Sequence, residues 1–162
     1  VPYEARLTRC IEENGSLFYQ AVHDGYMRLT DPVRHVRSVF FFDRENLLIR
    51  DRFVGRGMHC FQINFHLHPD ARATSDGRWW VVDHGGESIF MRLEEADFQL
   101  VRGQNNPLIG WFSGRYGHKQ PTGTLTCTKT GNADSVVFTT AVCIRKPMDR
   151  DRIDSKAGEF EK

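Results

Sequence analysis

Apolar residues recur with a period of two along nearly the whole chain, in runs too short for anything but strands. Residues 3–12 set Tyr3, Ala5, Leu7 and Arg9 against Glu4, Arg6, Thr8 and Cys10. Asn14-Gly15 follows, a pair suited to the primed hairpin turns that need positive φ. Further strands are expected over 16–23, 33–42, 47–53, 58–67, 78–83, 88–93, 98–102, 108–116, 123–129 and 135–145, separated by Gly, Asn, Asp and Pro. The last run is apolar on both faces, as in a strand covered on both sides. Only 94–97 has even a briefly helical look. Ten or eleven strands at this spacing predict an all-β fold, an antiparallel β-sandwich spanning 1–146. After Lys146-Pro147 the apolar pattern stops, and the charged run 147–162 reads as a solvated tail or linker.

A chain of 162 residues is most simply one domain with core enough to need neither disulfide nor metal. Its 22 basic and 21 acidic residues nearly cancel, which argues against nucleic acid or an anionic membrane surface as partner. Arginine outnumbers lysine, and its planar fork suits carboxylates and sulfates. Cys10, Cys60, Cys127 and Cys143 show no zinc-type spacing and are expected as buried free thiols. No run approaches the ~20 apolar residues of a membrane span. No signal peptide leads the chain, and Val1 runs straight into strand-like sequence, as in a chain processed or excised from something longer.

Met58 to Pro69 (MHCFQINFHLHP) holds three of the seven histidines. His66 and His68 share a strand face, a spacing that can put two imidazoles on one zinc. His59, an odd number of residues away, belongs to the opposite face with Phe61, Ile63, Phe65 and Leu67. A metal centre on His66 and His68 therefore needs a ligand from elsewhere, with Asp51, Asp83 and His84 as candidates; ordinary strand histidines are the competing reading. Gly110 to Pro121 (GWFSGRYGHKQP) carries what grips sugars. Trp111 and Tyr116 offer flat faces, and Arg115, His118 and Lys119 can meet a carboxylate or sulfate. The same residues also fit a strand and glycine-rich turn with aromatics in the core. Trp79-Trp80 reads as core plus surface cover. His23 with Tyr26, or Tyr116 with His118, has the residue types of an acid–base pair. No nucleophile elbow, P-loop, HExxH or GxGxxG occurs.

Taken in order, three stretches resemble the C-terminal part of the heparinase II/III-like polysaccharide lyases. AVHDGYMRLTDPVRHVRSVFFF is similar to that family's H-D-G-Y … D-P-V-x-H-x-R-x-V run. LLIRDRFVGRGMHCFQINFHLHP is similar to its next hairpin, ending in an H-L-x-P corner. NPLIGWFSGRYGHKQPTGTL is similar to its G-W-x-S-x-x-Y-G segment. The resemblance implies an antiparallel sandwich following a helical toroid, in enzymes that cleave acidic polysaccharides by β-elimination. A base takes the C5 proton of a uronic acid while its carboxylate is neutralised. The family's catalytic Asn, His and Tyr, and its zinc ligands in a His-x-His/Asp strand, an Asp-Pro-Gly turn and an Ala-His-Asn-Thr-like segment, have no counterpart here. His66-Leu67-His68 falls in the later H-L-x-P corner.

The resemblance thus implies no catalytic residue and no cofactor in this chain, zinc ligands upstream of Val1, the helical toroid as partner, and a periplasmic or extracellular location. The expected function is a non-catalytic C-terminal module that supports the toroid and the substrate cleft, with acidic polysaccharide as a further partner through Trp111, Arg115, Tyr116 and His118. The alternatives are a stand-alone carbohydrate-binding module, or a small metal-dependent enzyme using His66 and His68.

Overall fold

A computed structural model describes residues 4–161. Its strands are β1 (Ala5–Glu13), β2 (Ser16–His23), β3 (Val33–Phe42), β4 (Asn46–Gly55), β5 (Met58–His66), β6 (Arg72–Asp76), β7 (Trp79–His84), β8 (Glu87–Leu93), β9 (Gln99–Arg102), β10 (Gln104–Asn105), β11 (Leu108–Ile109), β12 (Trp111–Arg115), β13 (His118–Pro121), β14 (Gly123–Asn132) and β15 (Val137–Cys143). A single α-helix, α1 (Arg150–Ala157), follows. Every strand pairing is antiparallel. Tyr3, at the start of the first expected strand, lies outside the described residues.

Eight strands form one sheet in the order β1-β2-β3-β4-β15-β8-β7-β6, and three form the other in the order β5-β14-β9. Two small hairpins, β10-β11 and β12-β13, complete the set. The all-β sandwich expected from the alternation is therefore the fold. The primed turn is present, with φ of 51° at Asn14 and 76° at Gly15. Sequence reasoning overlooked β6, which is too polar to stand out, as well as the short β10 and β13, and ran β11 and β12 together. Residues 94–97 are not helical.

The two faces of the large sheet have separate cores. Val33, Phe53, Met91, Leu93 and Phe138 pack against Phe61, Ile63, Leu125 and Cys127 of the small sheet. On the other face Phe18, Phe40, Phe42, Leu48, Ala141 and Cys143 meet Met148 and Ile153. Trp79 and Trp80, adjacent on β7, serve one core each. The segment expected as a solvated tail departs from that expectation. Asp149 caps α1 by accepting a hydrogen bond from the Arg152 amide at 2.8 Å, and Ile153 is fully buried. Its charged residues line the solvent side, so one apolar residue per turn suffices to dock it.

Candidate functional site

The hairpin β12–β13 gathers the four residues expected to touch sugar. Trp111 pairs with Pro121 at its base, and Arg115 with His118 at its tip. Tyr116, in the turn, is fully exposed. The base is fixed by Gly110, whose carbonyl accepts from the amides of Gly103 at 2.9 Å and Thr122 at 2.8 Å. Gly110 has φ of +77°, and a Cβ there would lie 2.8 Å from the Gly103 nitrogen, so no other residue fits. Trp111 is held rather than free. Its indole Nε1 donates to the Gln104 carbonyl at 2.8 Å, and the Lys119 ammonium lies 4.0 Å from its ring centre. The hairpin thus offers Tyr116, Arg115, His118 and the half-exposed Phe112 to solvent, with Trp111 as their support.

The end of β5 comes to the same end of the sandwich. Leu67 donates its amide to the Gly123 carbonyl at 2.9 Å and accepts from the Thr122 hydroxyl at 2.7 Å. The His68 ring centre lies 4.4 Å from that of His84 and 6.3 Å from that of Phe112. His66 is engaged separately, with Nδ1 3.0 Å from the Thr124 hydroxyl. Of the three proposed metal partners only His84 is close to His68. Asp83 binds the Ser88 hydroxyl, and Asp51 is committed elsewhere. Among the described residues no three His, Cys, Asp or Glu side chains gather so as to hold a metal ion. A zinc site wants three or four ligands, so His66 and His68 do not fit one. A slot of about 260 Å³ between the sheets, bordered by Leu67, Leu100, Arg72 and Arg102, lies beside them. It is below the usual range for a small-molecule pocket, so this end is a projecting, cationic and aromatic surface rather than a cleft.

The strongest electrostatics lie elsewhere and were missed from sequence. Asp51, fully buried on β4, meets Nε2 of His35 at 2.6 Å and accepts from Nε and Nη2 of Arg37 at 2.7 and 3.0 Å. Burial pushes its carboxyl up, but the hydrogen bonds and charges of His35 and Arg37 outweigh this and hold it below the ordinary carboxylate value. His35 also stacks on Phe53, ring centres 5.2 Å apart. Asp24 accepts from Nε of Arg34 at 2.7 Å, and that bond is the main reason its carboxyl is also held down. His23 and Tyr26 meet edge to face at 5.8 Å. The same-face spacing of His35 and Arg37, and a lone aspartate in the apolar run LLIRDRFV, were the available signals. All four cysteines are free, but Cys10 and Cys60 are exposed, which corrects the expectation of burial. Burial raises the Cys127 and Cys143 thiols.

Residues 1–151 match the family model described as heparinase II/III-like, C-terminal. No curated protein matches the sequence. Among solved structures, heparan sulfate lyase HepC from Pedobacter heparinus is similar over 90% of this chain and 22% of its own, with 17% identity and a TM-score of 0.71. The heparinase III BT4657 gene product is similar over 86% of this chain and 21% of its own, with 15% identity and a TM-score of 0.67. The chain spans about a fifth of the length of these lyases, and at such identity the likeness is one of fold.

Proposed function

The chain belongs to the heparinase II/III-like, C-terminal family, and on that premise we propose that its parent is a lyase cleaving uronic-acid-containing polysaccharide by β-elimination. In that reaction a base removes the C5 proton, the uronate carboxylate is neutralised, and the C4–O bond breaks to leave an unsaturated uronide. In this reading the module carries none of those steps. It backs a helical toroid domain and one side of the substrate cleft. Supporting this is one observation above the others: the family match runs through 151 residues of a sandwich that fills only 22% of HepC. The reading assigns no metal to this chain; a zinc of the family would be held by residues outside it.

The hairpin gives the module a means of touching acidic glycan. Arg115 and His118 flank a fully exposed Tyr116, a pairing of cation and flat ring suited to a sulfated or carboxylated sugar. The same feature favours the second reading, a carbohydrate-binding module that works alone. Such substrates lie outside the cytoplasm, so the reading implies a periplasmic or extracellular protein. Among the described residues no helix is long and apolar enough to cross a membrane.

The parent polypeptide, incubated with heparin, heparan sulfate or alginate, should yield the ultraviolet absorbance of an unsaturated uronide. Failure on every uronate polysaccharide would contradict the lyase reading. Retention of the isolated chain on immobilised heparin, together with a parent that eliminates nothing, would favour the binding module.

A further inference from the structure

The two sheets part at one side of the sandwich. The last strand of the large sheet there is β6, at the end away from β1, and the last strand of the small sheet is β9. Both strands line the slot of about 260 Å³, whose walls include Leu67, Ala71 and Leu100 and whose cations are Arg72 and Arg102. Leu100 pairs with the fully buried Leu125, yet is itself 40% exposed, so the core runs out onto the surface here. Arg102 shares that inward face, paired with Gly123.

Arg34, Arg37, Arg92 and Arg145 each meet a carboxylate. Arg72 and Arg102 meet none among the described residues, and no acidic residue lines the slot. The acids nearby are occupied or turned away. Asp83, opposite Arg72 in the β6–β7 ladder, accepts from the Ser88 hydroxyl. Asp97, just before β9, lies 3.7 Å from Arg78. Asp70 is 84% exposed, 3.8 Å from Nδ1 of His68. Two unanswered guanidiniums at one apolar opening favour an anion between them. The slot is too small for a whole ligand, so it fits one group of a longer chain.

The hairpin β12–β13 adjoins it. A Cβ on Gly103 would stand 3.0 Å from Pro121 and 3.8 Å from Cζ2 of Trp111, so Arg102 leads directly into the hairpin's base. At the ordinary rise of a strand, β12 carries Arg115, and with it Tyr116 and His118, roughly 13 Å beyond that base. Cations thus stand at two stations, too far apart for one acidic sugar and suited to a chain of them.

We infer that the slot is a second station for acidic glycan. Arg72 and Arg102 clasp one carboxylate or sulfate of a chain whose other residues lie on Arg115, Tyr116 and His118, with Leu67 and Leu100 against the apolar face of the clasped sugar. The inference rests on the glycan contact proposed for the hairpin. Continuity with the hairpin's projecting ring and cations favours a glycan over an acidic peptide.

Binding of a fluorescent heparin octasaccharide to the 162-residue chain, followed by anisotropy, tests it. Arg72→Gln and Arg102→Gln should each weaken binding about fivefold, and together about twentyfold, with the melting temperature unchanged. Each should also lower the salt slope of log affinity by about one. Arg56→Gln, equally exposed but before the other end of β5, should change nothing. An alginate octamer, which carries carboxylate alone, separates the two groups: an equal loss assigns a carboxylate, a loss confined to heparin a sulfate. If a variant melts early, protection of Arg72 and Arg102 from hydroxyphenylglyoxal by the octasaccharide in the unaltered chain reads the same contact. Full affinity in the double variant, with Arg115→Ala still weakening it, overturns the slot and spares the hairpin. A loss matched by Arg56→Gln shows unspecific charge attraction and overturns it too. A chain that binds no acidic glycan refutes slot and hairpin together, and binding of poly-L-glutamate in its place would make the occupant a peptide.

Discussion

Replacing Asp51 by asparagine removes the charge that orients both the His35 ring and the Arg37 fork. The expected cost is about 3 kcal/mol in urea denaturation at neutral pH. Its pH dependence has a definite sign. The folded carboxyl sits below its ordinary value of 3.8, so its contribution is complete above that pH and is lost as acid carries the pH through the lower folded value. The stability gap between wild type and Asp51→Asn should therefore close below pH 3.8 and stay constant above it. The hairpin residues separate in the same way by burial. Tyr116→Ala or Arg115→Ala should weaken retention on immobilised heparin while changing stability by less than about 0.5 kcal/mol. Trp111→Ala should cost about 2 kcal/mol as well, because the indole is hydrogen-bonded and half-buried. At this scale the chain's chemistry was partly legible. Residue types marked the hairpin, but nothing local revealed that Lys119 covers Trp111, or that Asp51 meets side chains 14 and 16 positions earlier.

Alternation was legible wherever a strand has one wet face. Along β5 the odd positions from Phe61 are covered and the even ones exposed, which places His59 apart from His66 as parity required. His59 accordingly sits against Phe61, ring centres 5.6 Å apart, and bonds the Arg56 carbonyl at 2.9 Å. The helix α1 was illegible for the opposite reason. Its contact with the core rests on Met148, Ile153 and Ala157, too narrow a stripe to show through a charged run. Ile153→Ala should lower stability by about 3 kcal/mol, measured by urea denaturation, and a mutant unchanged in stability would mean that the helix is not docked.

The molecule as a whole joins unequal layers, eight strands against three. That inequality was beyond the sequence, because it depends on β15 entering between β4 and β8 and β14 between β5 and β9, pairings set by distant contacts. It leaves one half-face bare, the hairpin projecting at the far end of β5, and Asp51 used in orientation. In the proposed reading this is a module completed by other protein, with elimination performed outside it. The direct measurement is the ultraviolet absorbance of unsaturated uronide when the purified 162-residue chain meets heparan sulfate, heparin or alginate. The account predicts a flat trace at every protein concentration; a rise proportional to the amount of chain added would contradict it.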